Sequence, residues 1–428
     1  MLFIDVKKAD LVPKCGENVY VQLPKEANVA EDECGKLEYW LYGCRKAGQA
    51  WEDHYAGVLS RAGFIRGVAS PVIFFHAEKQ IWCVVHGDDF TFTGEDEGLD
   101  WITKIMQDNY EVKVRGRLGP DTEDLKEIDI LGRVLRYENW GISWRADPRH
   151  RKMILEYYGF GSDTKGLSKT GDKDDDKSEE ELDGEMTVQE ATVFRGVAAR
   201  ANYMAADWPQ IQFATKEVCR DMARPTWKSH AKMKKLARYL CTCTEAVWQF
   251  PWQSDSEANL MTYTDSDWAG CLKTRRSTSG GAMVLGRHCL RTWSTTQPVV
   301  AMSAAEAEYY SMVEGATRAI GLKAMLSELG CCVHAVVIST DSSSAKSFAS
   351  RRGLGKMRHI DVKELWLQEA VCRGKIRLHK VLGTANPADL FTKYLTQEEV
   401  RRHLERLCIY LDFRLFEMRK STFKSPDC

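Results

Sequence analysis

The segment SPVIFFHAEKQIWCVVHGDDFTFTG, residues 70 to 94, holds three runs rich in apolar, aromatic and β-branched residues, separated by AEKQ and by a Gly-Asp-Asp tip. That pattern predicts strand, turn, strand, turn, strand. Upstream, GKLEYWLYGCRKAGQAWEDHYAGVLSRAGF has a helical period ending at Gly63, and downstream EGLDWITKIMQDNY reads as an amphipathic helix. EIDILGRVLRYENWGISWRA reads as two further strands and RKMILEYYGF as a short helix. Residues 161 to 187 are polar and lack a period, as a linker does. Helical spacing then runs from TVQEATVFRGVAARANYMAADW to WKSHAKMKKLARYLCTC. A new pattern starts near Val247. Strands are predicted at NLMTYTDSD, GGAMVLG and RTWSTT, then a long helix from SAAEAEYY to SELG, a strand at AVVISTDS, a helix, and a strand at KIRLHKVLG. No internal repeat at a period of about 20 to 50 residues is visible.

Composition narrows the class. With 428 residues, 44% hydrophobic and 28% charged, the chain fits a globular protein of several domains. No apolar run is long enough to span a bilayer, and MLFIDVKKADL lacks a signal-peptide core. Neither a membrane partner nor secretion is expected. The fourteen cysteines are scattered, with Cys241-Thr-Cys243 and Cys331-Cys332 the nearest groupings, and read as reduced thiols. The net charge of −1 hides an asymmetry. GDKDDDKSEEELDGE, 171 to 185, carries −7, which leaves the rest of the chain at about +6. That insert reads as a solvated acidic loop, or as a mimic of nucleic acid screening a basic groove.

The chemistry lies in separated acids. Asp265 ends one predicted strand and Asp341 another; Asp389 sits just inside a helix start. Glu306 and Glu308 point apart on a helix, so only one of them can join a given site. Singly, each is an ordinary strand-end or helix-start acid. Together, four carboxylates from separate elements would need cations, and hard oxygen ligands suit a pair of Mg²⁺ ions acting on a phosphodiester.

YTDSDWAGCLKTRRSTSGG, TWSTTQPVVAMSAAEAEY, TDSSSA, RHIDVKELWLQEAV and NPADLFTKYL, in that order, closely resemble the ribonuclease H domain of copia-type (Ty1/copia) retrotransposon Pol polyproteins over about 250 to 395. The resemblance implies that Asp265, Glu308, Asp341 and Asp389 bind two Mg²⁺ ions, with Mn²⁺ as a substitute. Glu308 is preferred to Glu306 because it heads the family's Glu-aromatic pattern. The substrate implied is the RNA strand of an RNA–DNA hybrid, told apart by its 2′-hydroxyls. Lys273, Arg275 and Arg276 suit phosphate contact or form a solvated basic loop. His359, in RHID, reads as a packing or hydrogen-bonding residue rather than a ligand.

The resemblance extends upstream. FIDVKKADL, YWLYGCRKAGQAWEDHYAGVLSRAGF, VVHGDDFTFTG, YEVKVRGRLG and DILGRVLRY follow the order of a copia-type reverse transcriptase. FRGVAARANYMAADWPQIQFATKEV and HAKMKKLARYLCTC resemble the segment connecting it to ribonuclease H. A polymerase palm is implied, with Asp5, Asp88 and Asp89 as ligands of a second pair of metal ions, and Gly43, Arg45 and Lys46 near template and nucleotide. His86 and Gly87 stand where the family has an aromatic and a small apolar residue, and Asp10 where it has an aromatic.

The expected fold is thus a multidomain α+β and α/β chain: a partial right-hand palm, a helical connection and a ribonuclease H-like domain with a mixed five-stranded sheet. Expected boundaries are palm 1–160, acidic linker 161–187, thumb or connection 188–246, ribonuclease H-like domain 247–395 and a helical basic tail 396–428. The fingers, upstream of Asp5 in the family, are expected to be missing. Expected partners are RNA–DNA hybrid, RNA template, DNA primer and, if polymerisation survives, deoxynucleoside triphosphates. RNA cleavage is the activity expected to persist, inside the cell in cytoplasmic particles or the nucleus. A catalytically dead remnant that binds nucleic acid is the alternative.

Overall fold

The computed structural model describes residues 1–30, 32–172, 184–254, 259–355 and 357–412. The acidic stretch 171–185 lies largely outside them, as do residues 413–428 of the tail. The fold is mixed α/β with several sheets and divides into two compact units, 1–126 with 324–331, and 127–323 with 332–428.

Unit 1 contains β1 (Leu2–Val6), β2 (Tyr20–Gln22), β3 (Cys34–Lys36), β4 (Ile65–Arg66), β5 (Ile73–His76), β6 (Ile81–His86), β7 (Asp89–Thr93) and β8 (Val112–Arg117). β2 and β3 pair with each other; the other six form an antiparallel sheet in the order β4-β5-β6-β7-β1-β8. In β6 the alternation has a direct structural reading: Ile81, Cys83 and Val85 are buried while Val84 and His86 are exposed. The buried face receives Trp51, Tyr55 and Leu59 of α1 (Ala47–Arg61) and Leu99, Ile102 and Met106 of α2 (Asp96–Asn109). Each such side chain contributes about 1.5–3 kcal/mol when fully buried.

Two local readings differ from the sequence pattern. The helix expected from Gly35 begins only at Ala47, because residues 34–40 pair instead with β2 and with the segment near Pro13. EIDILGRVLRYENWGISWRA makes three strands rather than two: β9 (Glu127–Ile130), β10 (Arg133–Glu138) and β11 (Gly141–Ala146). The extra turn is Leu131-Gly132, both at positive φ.

Unit 2 continues with α3 (Arg149–Tyr157), α4 (Val188–Ala205), α5 (Gln212–Cys219) and α6 (Trp227–Thr242). Thr187 and Thr226 close capping boxes at the starts of α4 and α6, so orphan amides there are satisfied. Next come β12 (Glu245–Pro251), β13 (Leu260–Asp267), β14 (Thr278–Leu285), β15 (His288–Thr296), α7 (Ala304–Glu328), β16 (Val336–Thr340), α8 (Ser343–Ala349), α9 (Trp366–Cys372) and β17 (Ile376–Lys380). Last are α10 (Gln397–Arg406) and β18 (Ile409–Asp412); the tail therefore holds a strand as well as a helix. One five-stranded sheet runs β18-β12-β11-β10-β9, all antiparallel. The other, in the order β15-β14-β13-β16-β17, is mixed: β13 pairs antiparallel with β14 and parallel with β16. A core including Phe194, Trp208, Leu236, Tyr239, Trp248, Phe391 and Leu404 binds helices and sheets of this unit together.

Gly280 decides how closely the loop after β17 approaches the mixed sheet. It lies opposite Asp265, and a Cβ there would meet Phe391 Cβ and Thr392 Cγ2 at 2.7 Å. Gly280→Ala should destabilise the protein by about 1–3 kcal/mol, the usual cost of overpacking. Gly321→Ala, on α7 with nothing within 4 Å, should instead add up to about 1 kcal/mol. Denaturant unfolding of the two variants checks the opposite signs.

Candidate metal centre

β13 and β16 run parallel, and their register sets Tyr263 opposite Ser339. Each strand reaches an aspartate two residues later, so Asp265 and Asp341 emerge side by side at the carboxyl ends. Such strand ends, where helices and loops diverge, are the usual crevice of α/β folds. Asp389 arrives from a short 3-10 turn, Pro387–Phe391. Asn386 starts that turn by accepting from the Ala388 amide, and its Nδ2 donates to the Thr264 carbonyl at 3.0 Å. Fully buried, Asn386 thus pins Asp389 to the strand that carries Asp265. Oxygens of Asp265, Asp341 and Asp389 lie within 4.8 Å of one another.

Glu308 enters from the first part of α7. Its Oε1 accepts from the Ser266 amide and hydroxyl, both at 3.1 Å. Its Oε2 is buried without a hydrogen-bond partner. Burial, then the charges of Asp265 and Asp341, push the Glu308 carboxyl up to about 8. Asp265, only 2% exposed, is pushed up to about 7 by burial; Lys393 and a hydrogen bond from Thr392 oppose the rise, while Asp389 and Asp341 add to it. Glu308 stands outside the 4.8 Å grouping of the three aspartates, yet a buried carboxylate oxygen with no partner, on a group that feels the charges of Asp265 and Asp341, is short of positive charge. The donor set is all hard oxygen, which fits Mg²⁺ or Mn²⁺ and not a softer ion.

Glu306 points elsewhere. Its Oε2 accepts from the Met302 amide and pairs with His359 Nε2 at 2.8 Å. Lys393, by contrast, was not singled out in the sequence and belongs to the cluster: Nζ lies 2.8 Å from Asp389 Oδ1 and 3.3 Å from Asp265 Oδ2. Burial lowers its pKa, but the charges of Asp265 and Asp389 outweigh that and leave it raised. The one available signal was the four-residue spacing from Asp389 in DLFTK.

Lys273, Arg275 and Arg276 occupy the exposed loop between β13 and β14. Lys273 and Arg276 line a cleft with Arg220, Lys228 and Lys232, tempered by Glu217 and Asp221. Lys273 lies 3.7 Å from Asp221. In unit 1, Asp5 on β1 stands directly opposite Asp89 on β7, and Asp88 is exposed at the two-residue tip joining β6 and β7. Gly87 takes φ +64 at that tip, a conformation that favours glycine, and its carbonyl accepts from Trp51 Nε1 at 2.8 Å. Burial raises the Asp89 pKa, Arg115 at 3.6 Å lowers it, and Asp88 and Asp5 raise it further. Among the described residues, these three acids do not meet the mutual oxygen distance that Asp265, Asp341 and Asp389 meet. Arg45 and Lys46 are exposed just before α1, with Lys46 paired to Glu17.

Glu308 and Asp265 bind a proton more tightly folded than unfolded. Their contribution to stability is therefore present at low pH and is lost as pH rises through the folded-state values of about 8 and about 7. In EDTA, the protein should lose stability between about pH 6 and 8, and Glu308→Gln should restore about 1–3 kcal/mol at the upper end. Denaturation midpoints across that range measure it; a variant that tracks the wild type throughout would contradict the assignment.

No protein-family model matches the chain. It is 26% identical over 410 residues to the Retrovirus-related Pol polyprotein from transposon TNT 1-94 of Nicotiana tabacum, across 92% of this chain and 30% of that protein. It is 24% identical over 402 residues to the Retrovirus-related Pol polyprotein from transposon RE1 of Arabidopsis thaliana, across 92% of this chain and 26% of that protein. The chain thus spans less than a third of the length of these relatives. Among solved structures, a foamy viral protease-reverse transcriptase in complex with dsDNA has a TM-score of 0.50 at 9% identity, over 89% of this chain and 67% of that one. That likeness is one of fold. Pol polyproteins of plant transposons thus match nearly the whole length of the chain, on a fold shared with a retroviral reverse transcriptase, which is consistent with a copia-type Pol polyprotein.

Proposed function

We propose that unit 2 is a metal-dependent ribonuclease H that hydrolyses the RNA strand of RNA–DNA hybrids, with Asp265, Glu308, Asp341 and Asp389 as its metal ligands. The observation that carries this reading is the gathering of Asp265, Asp341 and Asp389 oxygens within 4.8 Å of one another, with a partnerless, buried Oε2 on Glu308, a carboxyl that feels the charges of Asp265 and Asp341. Mg²⁺ ions, or Mn²⁺ in their place, would supply Lewis acidity toward a phosphodiester oxygen. The chain's own residues hold the ligand oxygens still. Ser311 Oγ donates to the Asp265 carbonyl at 2.7 Å, Thr392 Oγ1 to the Asp265 carboxylate, and Ser266 to Glu308. The cations of the neighbouring cleft attract backbone phosphates without reading sequence. Such an enzyme would act inside the cell, in cytoplasmic particles or the nucleus, where an element's RNA meets its DNA copy.

Nucleotidyl transfer from unit 1 is the second reading, with RNA template, DNA primer and deoxynucleoside triphosphates as partners. It is favoured by the direct cross-strand pairing of Asp5 with Asp89 beside the Asp88 tip. It ranks below the nuclease because those oxygens are less closely gathered and Arg115 already offsets part of the Asp89 charge.

With Mg²⁺, the purified chain should cut the RNA strand of a hybrid, and Asp341→Asn should lower the rate by more than about a hundredfold, since removing a ligand exceeds the usual loss from an outer-shell change. Binding without cleavage in either Mg²⁺ or Mn²⁺ would leave a nucleic-acid-binding remnant. Arg276→Ala should weaken hybrid binding for all sequences alike and reduce the slope of log affinity against log salt by roughly 1. Titrations at several salt concentrations measure that slope.

A further inference from the structure

Lys393 stands apart from the cations that line the basic cleft. Its stem lies along a wall shared with Phe213, Trp268 and Tyr394, and its ammonium reaches into the carboxylate cluster. The two oxygens it contacts, Asp389 Oδ1 and Asp265 Oδ2, belong to groups that the proposed reading counts as metal ligands. The contact is built in by the backbone. Gly280 leaves room for Phe391 and Thr392 against β14, and Ser294 Oγ holds the Phe391 carbonyl at 2.6 Å. Lys393 is therefore delivered to the cluster by an anchored turn rather than swept there by a loose loop.

Mg²⁺ binds carboxylate oxygens at about 2.0–2.1 Å in a strict octahedron. An ammonium hydrogen-bonded to the same oxygens takes up the lone pairs and the space that such a shell needs, and like charges repel. A lysine stem is long and flexible, and its ammonium is readily hydrated, so it can leave. We propose that the Lys393 ammonium is a resident counter-ion of the metal-free site, which divalent metal must displace, so that Lys393 sets metal affinity without being a ligand. This rests on the reading of the four carboxylates as a metal centre. The exchange has two sides. Before metal binds, Lys393 compensates carboxylates that would otherwise repel one another. When metal binds, its two ion pairs are surrendered, and the affinity observed is lower by that amount.

Thermal unfolding of the whole chain against Mg²⁺ concentration tests the exchange. Lys393→Met keeps the stem and removes the charge. It should lower the melting temperature in EDTA, shift the midpoint of Mg²⁺ stabilisation about tenfold toward lower concentration, and leave the Mg²⁺-saturated melting temperature near that of the wild type. An unchanged or higher midpoint would overturn the proposal. The wild type supplies a second readout that needs no folded variant. Acetylation of Lys393 by an amine-reactive ester, followed by mass spectrometry of its peptide, should accelerate severalfold when Mg²⁺ is added, because the amine is released to solvent. Labelling that is unchanged or slowed by Mg²⁺ counts against it. A wild type whose melting temperature ignores Mg²⁺ and Mn²⁺ altogether would sink the metal-centre reading itself, a result distinct from either failure of Lys393.

Discussion

Repulsion among carboxylates at the ends of two parallel strands is the constraint around which unit 2 is arranged. Unit charges about 4 Å apart repel by about 4 kcal/mol at an effective dielectric of about 20. Left to themselves, Asp265, Asp341, Asp389 and Glu308 would splay into solvent. The structure prevents this by tying down backbone as well as side chains. Asn386 fastens the 3-10 turn to the Thr264 carbonyl, Ser311 fastens α7 to the Asp265 carbonyl, and Ser294 fastens the Phe391 carbonyl. Each anchor is a hydrogen bond between a buried side chain, or a partly buried one, and a main-chain carbonyl beside an acid. Position is thereby fixed while the carboxylates stay under-compensated, which is the state a cation-binding site requires.

The two acid groups of the chain solve the same electrostatic problem differently. In unit 1, Asp88 stays in water at a hairpin tip, and Asp89 leans on Arg115. Solvent and a guanidinium together screen the repulsion between Asp5 and Asp89. In unit 2 Asp265 is buried and Asp341, Asp389 and Glu308 are partly buried, and Lys393, just past the turn that carries Asp389, lies against Asp265 and Asp389. Burial raises the stakes of a charge there, which is why the Asp265 and Glu308 carboxyls are pushed up.

Strands with clean alternation, such as β6, were legible because one face is buried and the other wet. α4 and α10 announced their starts through Thr-x-x-Glu boxes at Thr187 and Thr396. The turn at Leu131-Gly132 was not legible, because leucine at positive φ carries none of the Asn-Gly chemistry that marks a hairpin. β18 was hidden for a different reason: a four-residue strand right after a helix has too little pattern of its own and exists because β12 offers an edge. At the site, the acids stood out by their residue type and by their places at strand ends. Lys393 and Asn386 did not, since their roles come from a tertiary approach between the turn and β13 that no local period records.

β18 also sets an order of events. It closes the sheet in which β12 sits between it and β11, so residues 409–412 complete a layer whose other strands begin at residue 127. During synthesis, β9, β10 and β11 leave the ribosome roughly a hundred residues before β12, and β18 follows more than another hundred and fifty later. Until it arrives, β12 presents an unpaired edge. Pairings so distant in sequence form slowly, and an open edge in the interval invites pairing with another chain. β18, the last strand among the described residues, therefore acts as a latch on assembly, and the nascent protein is most exposed to chaperones and to aggregation just before it emerges.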